Sequence, residues 1–394
     1  MEIVAEIKDF VKFGIETDIG GNPKNQDHWF QWQNNEKRLC VFGIADGHGQ
    51  YGEEVAQLTT KTILETIDED LLETDVLGFL HRCFTLSHEK FREICPPWGD
   101  STSMGGTTLT VVAIVHNKVY VANVGDSPVY LCTKNPVLKR SMIRHEVDFA
   151  IKPDMDLLKD DDKDTRGDDD LCSTLELIGD HSADNLREFD RIRKEYPSTE
   201  HPGYPELLFL YDTHGLRKSM GNPIFTVETA ETRPVKNPDG KYYKNVSREW
   251  GTVVVGSLPG YLAFTRSVGD FYWKQYGVTE QPEIQSFDLN QIADVEDTIC
   301  IVAVSDGVSD NWLCEHVGKF VMDPSCLDAV YSQPDLEAHG GGAHGGGAQR
   351  VALSFIRRNK IFGQRNFGNN TDNATANIAY IKLNGVFERA DKKF

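Results

Sequence analysis

Six aspartates (Asp27, Asp46, Asp126, Asp306, Asp310 and Asp372) and His48 stand where apolar runs meet turns, mostly beside glycine. The run Val41–Ala45 stops abruptly in Asp46-Gly47-His48-Gly49. A second run, Ile299–Ser305, stops in Asp306-Gly307, with Asp310 four residues beyond Asp306. Asp126 closes Ala122-Asn123-Val124-Gly125, Asp372 precedes the apolar stretch Thr375–Leu383, and Asp27 ends the polar loop Gly20–Asp27. A short β-branched run is a buried strand, and glycine at its end forces a turn. Each carboxylate is therefore held at a rigid strand mouth where a ligand can approach the backbone. Any one of them alone is an ordinary turn residue. A group of hard oxygen donors without cysteine is what Mg²⁺ or Mn²⁺ takes. Like charges gathered at one end of a sheet repel unless cations lie between them.

The elements that must position these groups are mostly strands. Phe10–Asp18, His28–Trp32, Val41–Ala45, Thr107–Val115, Val119–Val124, Val129–Cys132, Ile299–Ser305 and Thr375–Leu383 read as strands, with a hairpin at His116-Asn117. Helical spacing of apolar residues runs through Tyr51–Leu72 and Val76–Ile94, and again through Asp184–Tyr196 and Gln349–Arg358. Helices grouped rather than alternating with strands predict an α+β fold with antiparallel sheets. The segment from Thr133 to Leu171 carries Asp160-Asp161-Asp162, Asp164 and Asp168-Asp169-Asp170 and reads as an exposed acidic loop or small insertion. Pro197–Leu258, rich in Pro, Gly and Asn, reads as a second insertion or flap. Residues 338–348, AHGGGAHGGGA, read as a flexible linker whose two histidines are solvated.

The chain has 61 acidic and 41 basic residues, a net charge of −20, so nucleic acid and anionic membrane are not expected as partners. Eight scattered cysteines, several in apolar runs and none in a C-x-x-C pair, suit buried reduced thiols rather than a disulfide or zinc framework. The opening MEIVAEIKDF lacks the character of a signal peptide, and no apolar run reaches the length of a membrane span. The expectation is a cytoplasmic or nuclear monomer built on one catalytic domain over residues 1–394.

Taken in order, NQD, DGHG, GGTT, VGDS, GDHS, TRSVGD, SDGVSD and TDNAT resemble the motifs of the metal-dependent Ser/Thr protein phosphatases of type 2C. The resemblance runs from Val11 to about Leu383. It implies two antiparallel sheets packed face to face and flanked by helices, with two Mg²⁺ or Mn²⁺ ions at one end. Asp46 matches the carboxylate that bridges both metals, and Gly47 matches a backbone ligand of the second. Asp306 and Asp372 match further ligands of the first. Asp126 and Asp310, with Asp306, match a weaker third-metal site. Asp27 matches the acid that orients the attacking water, and His48 the general acid. GGTT and TRSVGD match structural corners.

Such a site implies in-line hydrolysis of phosphoserine or phosphothreonine in a phosphoprotein by a water activated between two cations, with no covalent phosphoenzyme. No cysteine is followed by arginine six positions later, and no Walker-type phosphate loop is present. The chain departs from the family pattern in three places. Gln26 stands where many members carry a glutamate beside the second metal. The phosphate-gripping arginine of the preceding loop is absent, with Lys24 the nearest cation and a point charge rather than a bidentate fork. Pro128 and Ser309 replace the usual Arg and Trp of GDSR and DGxWD. Two other readings stand beside an active enzyme: a catalytically silent binding module, and a phosphatase for small metabolites.

Overall fold

The structure, a computed structural model, describes residues 10–94, 105–151, 170–177, 180–211, 223–229, 232–237, 251–254, 260–332 and 346–383. Strands β1 (Val11–Asp18), β2 (Asp27–Asn34) and β3 (Leu39–His48) are followed by helices α1 (Gly52–Thr66), α2 (Glu69–Thr74) and α3 (Val76–Ile94). Then come β4 (Gly106–Thr107), β5 (Leu109–Val115), β6 (Lys118–Val124), β7 (Val129–Thr133), β8 (Ile143–Asp148) and β9 (Thr174–Glu176). The central region holds α4 (Leu186–Glu195), β10 (Leu208–Tyr211), β11 (Phe225–Thr226), β12 (Val235–Lys236) and β13 (Gly251–Val254). The remainder is β14 (Val268–Gly269), α5 (Phe271–Lys274), β15 (Glu283–Asp288), β16 (Thr298–Val304), α6 (Asp306–Ser309), α7 (Cys314–Val321), α8 (Pro324–Tyr331), α9 (Gly347–Phe367) and β17 (Ala374–Lys382).

Two large sheets form, one in the order β1-β17-β16-β7-β9 and the other β14-β4-β3-β5-β6-β15-β8 with β2 also paired to β3; every pairing within them is antiparallel. Strand period two assigns the faces. In β3, Cys40, Phe42 and Ile44 enter the core between the sheets, where Val112, Val121, Leu131, Ile301 and Ile381 meet them. Val41 and Ala45 turn the other way, onto Val55 and Ile63 of α1 and Phe79 and Phe84 of α3. Helices α7–α9 cover the outer face of the five-stranded sheet. A strand buried on both faces reads as a continuous apolar run, which is why Val41–Ala45 stands out in the sequence. The result is the expected layering of helices, two antiparallel sheets and helices. Among the described residues no helix is long and apolar enough to cross a membrane.

A buried polar side chain helps tie the sheets together. Asn377 of β17 donates from Nδ2 to the carbonyls of Phe30 and Gly43, both at 3.2 Å, and accepts from Gln31 Nε2 at 2.8 Å. Gly43 admits this contact because a Cβ there would strike the Thr110 carbonyl and the Phe30 ring.

Several boundaries differ from the sequence reading. The segment beginning at Thr133 is not loop throughout: β8 pairs with β15 at the sheet edge. Its Arg144 and His145 face solvent, as charges on edge strands commonly do, and they hide its strand character. β15 itself, EIQSFD, escapes detection because its polar residues are buried. Tyr51–Leu72 is two helices, since Asp68 caps α2 through Leu71 N. Helices α7 and α8 are additional, and α9 is longer than its apolar core. Asp160–Asp169, most of the linker at 338–348 and parts of 197–258 lie outside the described residues. The described flap residues have their own core, with Phe189 of α4 packed on Phe209 and Phe225.

Arg266 anchors that core. It is buried, donates to both Asp148 oxygens at 2.8 and 2.9 Å, and pairs with Glu188 of α4 at 2.5 Å. Burial alone would raise the Glu188 carboxyl, but Arg191 and Arg266 outweigh it and hold it well below the usual carboxylate range. A depressed acid contributes stability in full above its unfolded value and loses it as pH falls through the folded one. Arg266→Met therefore destabilises the protein by about 3–5 kcal/mol at neutral pH. The gap to the parent narrows once pH drops below about 4.5, the ordinary value for glutamate. Urea titrations across pH read it, and a pH-independent gap refutes the pairing. Asn377→Leu, which removes both carbonyl bonds and leaves Gln31 Nε2 without its acceptor, costs about 1–3 kcal/mol in the same assay; a neutral substitution would mean that the inter-sheet bonds add nothing.

Candidate metal centre

Asp27 begins β2 and Asp46 nearly ends β3, and the two residues lie directly opposite in the antiparallel register. Directly opposed residues project from the same face, so the pairing alone sets two carboxylates side by side at the sheet mouth. Thr108 fixes their neighbour. Its amide donates to the Asp46 carbonyl at 2.8 Å, its hydroxyl accepts from the Asp46 amide at 3.2 Å, and the same hydroxyl meets Ser127 Oγ at 2.7 Å. The GGTT corner thereby holds Asp126 beside Asp46. Gly125 takes φ +96°, a left-handed conformation suited to glycine, and a Cβ there would press on Thr108.

The opposite sheet contributes the other carboxylates. Ser305, between β16 and α6, donates from Oγ to Asp27 Oδ2 at 2.8 Å and accepts from Thr375 N at 2.9 Å. Asp306 follows at once, and the Asp310 amide donates to the Asp306 carbonyl at 2.8 Å. Asp372 accepts from Asn22 Nδ2 at 2.6 Å and from the Asn373 amide at 2.8 Å. Asn373 then clamps the NQD loop: its Oδ1 accepts from the Gln26 amide, and its Nδ2 donates to the Ile19 and Lys24 carbonyls.

Burial raises Asp46 well above the ordinary carboxylate value, and the charges of Asp27, Asp306, Asp372 and Asp126 add to the rise. Asp306 is raised for the same reasons, burial first and then Asp372, Asp126, Asp310 and Asp27. Asp27 is pushed up to about 6 by burial, with Asp372 adding to it and hydroxyl hydrogen bonds opposing it. Asp27 Oδ1 is buried with no hydrogen-bond partner among the described residues. Among those residues no three acidic, histidine or cysteine side chains close tightly around one point. The six aspartates are nonetheless electrostatic neighbours, all-oxygen donors and mutually repulsive. That donor set fits Mg²⁺ or Mn²⁺.

The remaining candidates fall as follows. The Gly47 amide donates to the Gln26 carbonyl at 3.2 Å, and a Cβ on Gly47 would strike the Gly52 carbonyl. Gln26 turns its side-chain nitrogen to the Gly49 carbonyl at 2.9 Å. Lys24 pairs with Glu53 of α1 at 3.1 Å in an exposed position, so much of its charge is met there. His48 places Nε2 2.7 Å from Asp270 Oδ2 and its ring edge-on to Phe264 at 5.0 Å. Its Nδ1 is buried without a hydrogen-bond partner among the described residues. Asp270 also accepts from Ser267 Oγ at 2.6 Å. Burial pushes its carboxyl up, but His48 and Ser267 prevail and lower it. Sequence reasoning assigned TRSVGD to structure and missed that its aspartate orients the histidine. The available signal was the motif's acidic end together with the lone His of DGHG.

A family profile for protein phosphatase 2C matches residues 15–149 and 244–324, more than half the chain. "Probable protein phosphatase 2C 35" of Arabidopsis thaliana is 26% identical over 302 residues, covering 75% of this chain and 62% of that protein. "Probable protein phosphatase 2C 4" of Paramecium tetraurelia is 35% identical over 112 residues, 25% of this chain and 36% of that one. The chain thus spans less than two thirds of these relatives' lengths. Among solved structures, the serine-threonine phosphatase 2C from Toxoplasma gondii superposes with a TM-score of 0.58 at 13% identity, covering 94% of this chain and 95% of that one. A C. elegans sex determining protein superposes with a TM-score of 0.51 at 15% identity, over 96% of this chain and 67% of that one. At these identities the likeness concerns the fold.

Like charges crowded at the sheet mouth make the carboxylates a liability without a cation. In EDTA at pH 7.5, Asp46→Asn and Asp306→Asn should each melt a few °C above the parent, because one repelling charge is gone. The same variants should lose most of the rise in melting temperature that Mn²⁺ gives the parent. Scanning calorimetry with and without Mn²⁺ reads both effects. Variants less stable than the parent in EDTA that keep a full Mn²⁺ response would remove these residues from the centre.

Proposed function

We propose that this chain, which belongs to the protein phosphatase 2C family, hydrolyses phosphoserine and phosphothreonine in proteins with the help of two divalent cations, Mg²⁺ or Mn²⁺. The observation that carries the reading is the cluster of mutually repelling aspartates held at one mouth of the sandwich by neutral donors.

In this reading Asp46, Asp306 and Asp372, with the Gly47 backbone, hold the two cations, and Asp126 and Asp310 with Asp306 hold a weaker third. Bound there, the cations supply a lowered pKa for the attacking water and neutralise charge on the phosphoryl oxygens. Asp27 keeps Oδ2 on Ser305, which leaves Oδ1 to accept a hydrogen bond from that water and align it. His48 keeps Nε2 on Asp270, so Nδ1 is the nitrogen left to give a proton to the departing serine or threonine oxygen. Phe264 and Asp270 fix the ring plane, so that proton is delivered without rotamer search. Cysteine chemistry finds no support among the described residues. Cys40, Cys132 and Cys300 are buried with thiols pushed well up by burial, and Cys83 is pushed up to about 12 by the same cause.

The test is turnover of a phosphoserine peptide and of p-nitrophenyl phosphate. Activity should vanish in EDTA, return with Mn²⁺ or Mg²⁺, and survive thiol alkylation. His48→Ala should slow the peptide by roughly 10²-fold or more and p-nitrophenyl phosphate far less, since nitrophenolate leaves unprotonated. No turnover of either substrate in saturating Mn²⁺ would favour the silent binding module. Turnover confined to small esters would favour a metabolite phosphatase.

A further inference from the structure

Helices α7, α8 and α9 enclose between them a groove of about 740 Å³ on the outer layer of the molecule. Its floor is aromatic: Trp312 packs against Phe320 at 5.7 Å and Phe362 at 5.1 Å between ring centroids. Its rim is cationic. Lys319 and Arg358 are exposed, and Arg350, half-buried, donates from Nη2 to the Ala329 carbonyl at 3.1 Å. Arg358 sits over the Phe362 ring at 5.9 Å, and among the described residues neither Lys319 nor Arg358 is held in an ion pair. The acid that lines the groove among those residues, Asp323, is already committed to capping α8, accepting from Ser325 N at 2.9 Å and Ser325 Oγ at 2.5 Å. A chain of net charge −20 thus presents here a local face of the opposite sign.

The groove is also stiff. Trp312 Nε1 donates to Asn359 Oδ1 at 3.2 Å, and Asn359 Nδ2 donates to the Gly307 carbonyl at 3.0 Å. Floor, α9 and α6 are therefore one hydrogen-bonded frame, and a pre-formed surface loses little entropy when it binds.

We propose that this groove docks an acidic peptide segment of a partner protein, with apolar side chains seated on Phe320 and Phe362, which Trp312 backs from below, and flanking carboxylates meeting Lys319 and Arg358. An aromatic floor of this size exceeds what a lone inorganic anion fills and supplies the apolar anchor that peptide recognition uses. The overall negative field disfavours extended polyanions and anionic bilayers while leaving room for a short acidic stretch at a local cationic rim. This reading stands independently of catalysis, since none of these side chains belongs to the aspartate cluster.

The experiment is fluorescence anisotropy on the full chain, with a fluorescein-labelled peptide of alternating glutamate and leucine around a central phenylalanine, and its lysine-for-glutamate counterpart. The acidic peptide should bind at low salt and weaken as salt rises, and the basic one should not bind. Lys319→Glu combined with Arg358→Glu, both on exposed helix surface, should weaken the acidic peptide by about tenfold or more while the circular dichroism spectrum and phosphatase assay stay those of the parent. Equal binding of the two peptides, no binding of the acidic one, or affinity unchanged in the double variant would each overturn the proposal. So would full displacement by inorganic phosphate, or charge-reversal-sensitive binding to phosphatidylserine vesicles without peptide binding.

Discussion

Mutual repulsion among carboxylates gathered at one sheet mouth is the constraint around which the sandwich is built. Asp27 and Asp46 share a face because β2 and β3 are in register, and Asp306 and Asp372 are brought up from the other sheet. Each raises the proton affinity of its neighbours. The groups that hold them are hydroxyls and amides: Ser305, Thr108, Asn22 and Asn373. Neutral donors fix position without cancelling charge, so the field at the sheet mouth stays negative. Holding that arrangement requires a frame that cannot relax outward, and the inter-sheet bonds of Asn377 supply one close to the site.

The flap anchor shows the opposite solution to the same problem. Glu188 and Arg266 are as buried as any carboxylate at the sheet mouth, yet Glu188 is held well below the usual range because Arg191 and Arg266 face it. Its charges are matched within the protein and bind α4 to the edge strand β8 through Asp148. One cluster is internally neutralised and structural; the other is left unbalanced. The two clusters differ in the direction of their shifts: Glu188 is lowered by cations of this chain, whereas Asp46 and Asp306 are raised by burial and by one another.

How much of this was legible in the sequence depended on whether residue type and local pattern carried the same message. β3 was readable because both of its faces are buried, and Asp46, Asp126 and Asp306 because each ends an apolar run beside glycine. Asp270 was less so: TRSVGD ends in an acid and DGHG holds one histidine, but a contact spanning 222 positions leaves no local trace that pairs them. β8 and β15 were missed for a related reason: their polar residues satisfy one another across the pair, as Ser286 does with Glu146, so hydropathy alternation is erased where tertiary hydrogen bonding replaces it. Helices α7 and α8 are short, and their apolar faces are completed by α9 rather than by their own periodicity.

Gln26 and Lys24 mark where this chain departs from the family pattern, and the geometry gives both a coherent role. Gln26 is bonded three ways: its amide to Asn373, its carbonyl to the Gly47 amide, and its side chain to the Gly49 carbonyl. A carboxylate in its place would face that carbonyl, acceptor against acceptor, and loosen the DGHG turn. The amide therefore trades negative charge beside Gly47 for a stiffer turn under Asp46 and His48. Lys24, drawn to Glu53 in an exposed pair, is shared with that carboxylate and offers phosphate a screened point charge. In the proposed reaction, attraction for a phosphoryl group would then fall to ions held at the sheet mouth rather than to this loop.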